Sequence, residues 1–375
     1  MKSVIVLGCG LVGRAMAIDL SKKFKVAVAD LDENRLNEIR KFGIEALKVD
    51  LSDLQAIPNL VEPYDIVVGA VPGFMGFKVV ESVIKAKKDI VDISFFPEDS
   101  LLLDDLAKEN NVTAVVDCGV APGMCNILLG YHYKQLPKVT DYLCYVGGLP
   151  FERKFPFQYK APFSPVDVIE EYTRPARYRE NSVIKQVEAL SDPELINFEQ
   201  VGTLEAFNTD GLRSLLKTLD VPNMKEKTMR YPTHIEYIKV LKESGFFSNE
   251  EIEIGNVKIK PIDFTNKLLF KQWKLNPGER EFTIMRVIIS GYEENGNKIT
   301  FTYDLFDEYD QETGISSMSR TTGYTATAAV NLLTEGIYSK KGIIPPEYLG
   351  FESDAFKFIL KYLEERKIYY KKTIS

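Results

Sequence analysis

The run Gly8-Cys9-Gly10-Leu11-Val12-Gly13 constrains this chain more than any other feature, because it joins an apolar β-branched run, Val4–Leu7, to a stretch of helical spacing, Leu11–Lys22. Three glycines at this spacing have a mechanical meaning only between a strand and a helix. Gly8 permits a tight turn, Gly10 lets the backbone approach a pyrophosphate, and Gly13 lets the helix pack closely on the strand. The amides of Leu11 and Val12, at the start of the helix, then face phosphate oxygens. A dinucleotide-binding unit is expected here.

The next carboxylates refine that expectation. Asp30 closes the second apolar run, Val26–Asp30, 17 residues beyond Gly13, where it can accept both ribose hydroxyls and repel a 2′-phosphate. With no neighbouring arginine, it favours NAD over NADP. Asp32 is the alternative ribose ligand and reads more simply as a helix cap. Asp50, ending the run Ile44–Val49, is placed for the adenine edge. Ala70, Val71 and Pro72 stand at the end of the run Ile66–Val71, and their small bulk lets a nicotinamide lie flat at the carboxyl edge of a parallel sheet.

Further short apolar runs, Ile90–Ile93 and Val112–Val116, alternate with helical stretches Glu33–Lys41, Gly76–Lys85 and Ser100–Asn110. Continuous rather than alternating strands indicate a parallel sheet covered on both faces, an α/β doubly wound Rossmann domain over residues 1–123. Beyond it the style changes. Glu281–Ile289 and Lys298–Tyr303 read as a hairpin, Glu251–Ile262 turns at Gly255-Asn256, and helical patterns lie at Val166–Tyr172, Gly211–Leu219 and His234–Lys242. Residues 124–324 form an α+β second domain, built mostly on antiparallel strands. The tail, 325–375, with apolar spacing in Thr321–Glu335 and Asp354–Glu365, packs back on the first domain.

Composition removes several function classes. The 47 basic and 54 acidic residues give a net charge of −7 with neither sign gathered into a stripe, so nucleic acid and anionic membranes are not expected partners. Cys9, Cys118, Cys125 and Cys144 form no C-x-x-C pair, and His132 and His234 are the only histidines, so no metal site is expected. Free thiols fit a cytoplasmic protein. The longest uncharged run, Cys118–Tyr133, falls short of a membrane span.

Several runs carry a resemblance. Asp117-Cys118-Gly119-Val120-Ala121-Pro122-Gly123-Met124, Tyr145-Val146-Gly147-Gly148-Leu149-Pro150, Glu171-Tyr172-Thr173-Arg174-Pro175-Ala176, Leu204-Glu205-Ala206-Phe207 and Arg230-Tyr231-Pro232-x-His234 together resemble the saccharopine dehydrogenase-like superfamily, most closely its lysine 6-dehydrogenase branch. The resemblance implies a homodimer, each subunit pairing a Rossmann domain with a saccharopine-reductase-like catalytic domain. Gly119, Ala121 and Pro122 are then expected against the cofactor. The implied reaction is NAD-dependent oxidative deamination of the lysine ε-amine to allysine, which cyclises to Δ1-piperideine-6-carboxylate. Saccharopine reductases carry Asp in place of Ala121 and Phe in place of His234, which turns the reading away from saccharopine. Saccharopine reductase and carboxynorspermidine-type amine/imine chemistry remain the alternatives. A non-enzymatic NAD(H)-sensing regulator is the alternative of another class, and no basic DNA-reading helix supports it.

Amine oxidation needs a base, since the ε-amine has an unperturbed pKa of about 10.4. His234 is the first candidate and Lys87 the second; His132 reads as a structural helix residue. The substrate carboxylate calls for a forked cation, Arg230 or Arg174. Glu205 is expected to hold the substrate ammonium or to pair with an arginine, and Tyr145 and Thr209 to line the pocket.

Overall fold

The computed structural model describes residues 1–276 and 278–375. Seven parallel strands form one sheet, in the order Gly342–Ile344, Thr113–Val115, Asp89–Asp92, Ile66–Gly69, Ser3–Leu7, Lys25–Asp30, Glu45–Lys48. The chain runs outward from Ser3–Leu7 to one side, then crosses to Ile66–Gly69 on the other. That reversal is the switch point at which a doubly wound sheet opens a crevice beyond its carboxyl ends. Val4, Ile5, Val6 and Leu7 are wholly buried, which explains why this strand reads as a continuous apolar run. The doubly wound parallel sheet anticipated from the sequence is present. Its outermost strand, Gly342–Ile344, is too short to stand out in the sequence and arrives from the far end of the chain, beside Thr113–Val115.

The helix Leu11–Ser21 packs against the long helix Ser317–Thr334. Gly323 makes the approach possible, since a Cβ there would stand 3.0 Å from Met16 Cγ. This helix begins before the expected Thr321 because Ser316 caps it, accepting a hydrogen bond from the Ser319 amide at 3.3 Å.

A second sheet of nine strands stands opposite the first one's carboxyl edge. Its main path is Glu194–Phe198, Gly202–Asn208, Asn223–Arg230, Lys138–Pro150, Glu281–Tyr292, Lys298–Glu308 and Tyr370–Ile374. All neighbours on that path are antiparallel except Asn223–Arg230, which runs parallel to Lys138–Pro150. Two expectations need correction. The helix over Gly211–Leu219 shrinks to Leu215–Thr218, and Ile262 belongs not to the hairpin Ile252–Ile254/Val257–Ile259 but to the helix Pro261–Trp273. Pro261 at the first helical position is the start signal that decides the latter. That helix joins Pro165–Thr173 and His234–Glu243 around a core of Tyr159, Tyr172, Phe207, Ile235, Ile238 and Trp273.

Among the described residues no helix is long and apolar enough to cross a membrane. No group of three metal-ligating side chains gathers among them either. The four cysteines are buried and unpaired.

Candidate active site

A cleft of about 1640 Å³ lies between the two sheets, at the switch point. Gly8, Gly10, Leu11, Val12, Gly13, Asp30, Asp50, Ala70, Val71, Pro72, Gly119, Ala121 and Pro122 all line it. Two of the glycines are explained by the protein itself. At Gly8, with φ +111°, a Cβ would lie 2.4 Å from the Ala70 carbonyl oxygen, and at Gly13 it would lie 2.1 Å from the Gly8 carbonyl oxygen. Gly10 is different: a Cβ there would meet nothing within 4 Å. Only something entering the cleft gives this position a reason to be glycine, and the uncapped amides of the helix beginning at Leu11 stand beside it. A dinucleotide pyrophosphate fits that cradle.

Asp30 is nearly buried. Its Oδ2 accepts from the Cys9 amide at 2.6 Å and its Oδ1 from the Asp32 amide at 2.8 Å, which fixes the carboxylate at the mouth of the glycine turn. Asp32 caps the helix Glu33–Arg40 through the Asn34 amide at 2.9 Å, as the simpler reading had it. The premise that Asp30 has no neighbouring arginine is overturned. Arg35, from the next helix, reaches within 3.7 Å of Asp30 and 3.4 Å of Asp32, and it lines the cleft. One turn of helix brings it back, a fold-back that a run of consecutive residues does not display. Asp50 is exposed and held in a local turn by the Ser52 amide and hydroxyl, whose hydrogen bonds lower its pKa.

The other half of the cleft is built by the strand Asn223–Arg230. Residues two apart on a strand share a face, and Glu226, Thr228 and Arg230 all reach the cleft. Thr209 meets Thr228 there, hydroxyl to hydroxyl at 2.9 Å. Arg230, 2 % exposed, is gripped from several directions. Its Nε donates to Tyr172 Oη at 3.0 Å, its Nη1 to the Met229 carbonyl at 2.9 Å and its Nη2 to Glu171 Oε2 at 2.6 Å. Its guanidinium also stands 4.5 Å from the centre of the Tyr159 ring. Three of the five N–H bonds are spent, leaving two. Arg174 also lines the cleft; its Nη2 bonds Glu170 at 3.2 Å, while its buried Nη1 has no partner among the described residues.

Four expected residues do not come to the cleft. His234 is sealed beneath Arg230. Its Nδ1 must donate to the Phe157 carbonyl at 2.8 Å, which leaves Nε2 to accept from Tyr172 Oη at 2.9 Å. Burial, helped by the Arg230 charge, pushes its pKa down to about 3. A ring with both nitrogens engaged and no path to solvent is not a base for a substrate; it positions Tyr172, which positions Arg230. Lys87 is exposed and lies just before the strand Asp89–Asp92, at the amino end of a sheet whose carboxyl end forms the cleft. Glu205 sits opposite Arg230 in strand register, yet the guanidinium turns to Glu171 instead. Tyr145 is turned away and bonds Glu194 at 3.1 Å, while Val146, Gly147 and Gly148 after it face the cleft. His132, as expected, is structural: its Nε2 meets Tyr303 Oη at 2.8 Å.

The sequence reading also missed residues. Asp117 and Arg213 form a buried ion pair at 3.1 Å, and Asp167, Glu170, Glu171 and Glu226 line the same half of the cleft. Burial raises the pKa of Asp167, Glu171 and Glu226.

The saccharopine dehydrogenase NADP-binding domain matches residues 4–115, and the saccharopine dehydrogenase C-terminal domain matches residues 119–368. The chain belongs to the saccharopine dehydrogenase family. As a member it carries the family's nucleotide-binding domain. It is 26 % identical over 271 residues to a saccharopine dehydrogenase (NADP+, L-glutamate-forming) of Pyricularia oryzae, covering 67 % of this chain and 59 % of that protein. It is 24 % identical over 271 residues to a carboxyaminopropylagmatine dehydrogenase of Synechocystis, covering 68 % and 64 %. The match thus spans less than two thirds of either relative. The fold agrees with that of apo saccharopine dehydrogenase (L-Glu forming) from Saccharomyces cerevisiae, with a TM-score of 0.80, 20 % identity and full coverage of both chains.

Proposed function

We propose that this family member is an NAD-dependent amine dehydrogenase that oxidatively deaminates the ε-amine of L-lysine, yielding allysine and ammonia. One observation carries the reading. A buried forked cation with two free N–H bonds and a group of carboxyls face the carboxyl ends of Ile66–Gly69 and Asp89–Asp92, where the nicotinamide half of a dinucleotide would lie.

In this reading the amides of Leu11 and Val12 and the backbone at Gly8, Gly10 and Gly13 hold the pyrophosphate, and Asp30 holds the adenosine ribose. Ala70, Val71 and Pro72, with Gly119, Ala121 and Pro122, form the bed for the nicotinamide, which supplies the two-electron acceptor when bound. Arg230, with Arg174 beside it, grips the α-carboxylate of the amino acid in a planar fork. Thr209 and Thr228 line the wall between. The carboxyls draw the cationic end of the substrate inward, and burial strengthens that attraction.

A second reading, oxidation of a secondary amine such as saccharopine or carboxynorspermidine, is favoured by the unpartnered Nη1 of Arg174, because a second forked cation suits a second carboxylate. An NAD(P)H-forming screen over lysine, ornithine, diamines and saccharopine, with trapping of the cyclised product, decides between them. Lysine is expected to give the signal and to release ammonia. A signal from saccharopine alone moves the reading to the secondary amine, and silence from every amine removes both.

The cofactor choice turns on Asp30 and Arg35. We expect NADH to bind at least about tenfold more tightly than NADPH, a difference of about 1.4 kcal/mol, because Asp30 and Asp32 hold the Arg35 guanidinium and repel a 2′-phosphate. Asp30→Ala frees Arg35 and should narrow or reverse the gap in a fluorescence titration of both reduced cofactors. Equal affinity in the unaltered chain sinks the ribose role of Asp30.

A further inference from the structure

We propose that Glu226 is the group that exchanges a proton with the amine nitrogen of the substrate. The proposal rests on the amine-dehydrogenase reading and fills the role that His234 cannot perform. Glu226 is 6 % exposed, lines the cleft, and shares the strand face of Thr228 and Arg230. Among the described residues its Oε2 has no hydrogen-bond partner. A buried carboxyl oxygen left unpaired costs about 1 to 3 kcal/mol, so a glutamate that served only packing would be replaced at a profit in stability by an apolar residue. Gly211 is shaped to it: a Cβ there would fall 1.0 Å from Glu226 Oε2, inside the carboxyl itself.

The surroundings set the proton's affinity. Cys125 faces Glu226 from the helix Met124–Gln135, Cys144 and Tyr142 from the strand Lys138–Pro150, and Glu171 from the helix Pro165–Thr173. Asp210 and Arg213 face it from the segment after Asn208. The cation among these groups, Arg213, is already committed to Asp117. Burial and this acidic company push the carboxyl well above the usual carboxylate range, which favours its protonated form in the empty cleft. An arriving ammonium is the missing counter-charge and favours the ionised form, sending that proton to water. In the oxidative direction one N–H bond of bound R–CH2–NH3+ then breaks and one O–H bond forms on Glu226. The products are neutral amine and neutral carboxyl, with no electrons gained or lost. Run backward, the same carboxyl returns the proton to the newly formed amine.

Two measurements on the full chain test this. Infrared difference spectra of unaltered protein against Glu226→Gln at pH 7 should show the carbonyl stretch of one protonated carboxyl, which vanishes when lysine is added without cofactor. Glu226→Asp secures the assignment by shifting the band if the glutamine variant does not fold. In steady state, E226Q should retain NADH binding, lose about 10² to 10⁴ in kcat, and lose the acid limb of kcat/KM. A merely structural residue would leave that limb in place. Absence of the band, or a limb that survives in E226Q, overturns the proposal even if lysine is a substrate. A band that lysine quenches, in a chain that oxidises no amine, instead leaves Glu226 as an amine-sensing carboxyl and refutes the dehydrogenase reading.

Discussion

Replacing Arg230 with alanine is expected to destabilise the native state by about 3 to 5 kcal/mol, the range for stranding one partner of a buried ion pair, and to raise KM for the amino-acid substrate about tenfold or more. The stability loss follows from what the guanidinium closes: Glu171 loses its counter-charge and Tyr172 loses the donor that complements its own bond to His234. Arg230→Lys keeps the charge but not the fork, so it should recover part of the stability while KM stays high. Tyr172→Phe breaks the chain in the middle, leaving Arg230 Nε without an acceptor and His234 Nε2 without a donor, at about 1 to 3 kcal/mol. Urea unfolding and steady-state kinetics on the three variants separate these effects. A normal KM in Arg230→Ala would pass the carboxylate to Arg174.

Acid should destabilise the protein through its two histidines. His132 is stacked on Phe301 and bonded to Tyr303, His234 is enclosed by Tyr159, Tyr172 and Trp273, and burial pushes both pKa values from 6.5 down to about 3. Each therefore takes up its proton more readily when the chain is unfolded. Their contribution is complete above pH 6.5, declines as pH falls, and is gone below about 3. At pH 5 each costs the native state about 2 kcal/mol relative to neutral pH. The buried carboxyls with raised pKa, Asp92, Glu226 and Glu347 among them, act with the opposite sign. The histidine contribution is accordingly read as a difference: His132→Phe and His234→Gln should each lose about 2 kcal/mol less than the unaltered chain between pH 7 and pH 5. Identical losses in all three would show that the rings are protonated in the native state.

Local signals made the cofactor half legible. The close packing of Gly13 on Gly8 and the strand ending at Asp30 are each decided by residues within a few positions of one another, and the positive φ of Gly8 is a local turn even though Ala70 closes the space beside it. Arg35 escaped because its relation to Asp30 runs through a turn of helix. In the substrate half, Met224-Lys225-Glu226-Lys227 reads as a solvated charge run. Yet once Asn223–Arg230 is recognised as a strand, a two-residue period assigns Glu226, Thr228 and Arg230 to one face, so the signal was present and needed only that strand. His234 was misread for a different reason: its neighbours Tyr159, Tyr172 and Trp273 come from segments far along the chain, and nothing near it in sequence announces that it is enclosed. Lys87 needed the polarity of a parallel strand, which separates the two ends of the sheet as surely as distance.

The late arrival of Gly342–Ile344 and Tyr370–Ile374 bears on how the protein is made. Both sheets are finished by strands from late in this sequence: one pairs with Thr113–Val115, the other with Phe301–Leu305. Until then the backbone of Thr113–Val115 is an open edge, and the helix Leu11–Ser21 lacks the long helix that covers it. Domains that complete themselves early can fold one after another during synthesis. Here the nascent Thr113–Val115 must wait, edge exposed, until Gly342–Ile344 has been made, and a transcript truncated after Gly336 would yield two unfinished sheets rather than one finished domain and one missing.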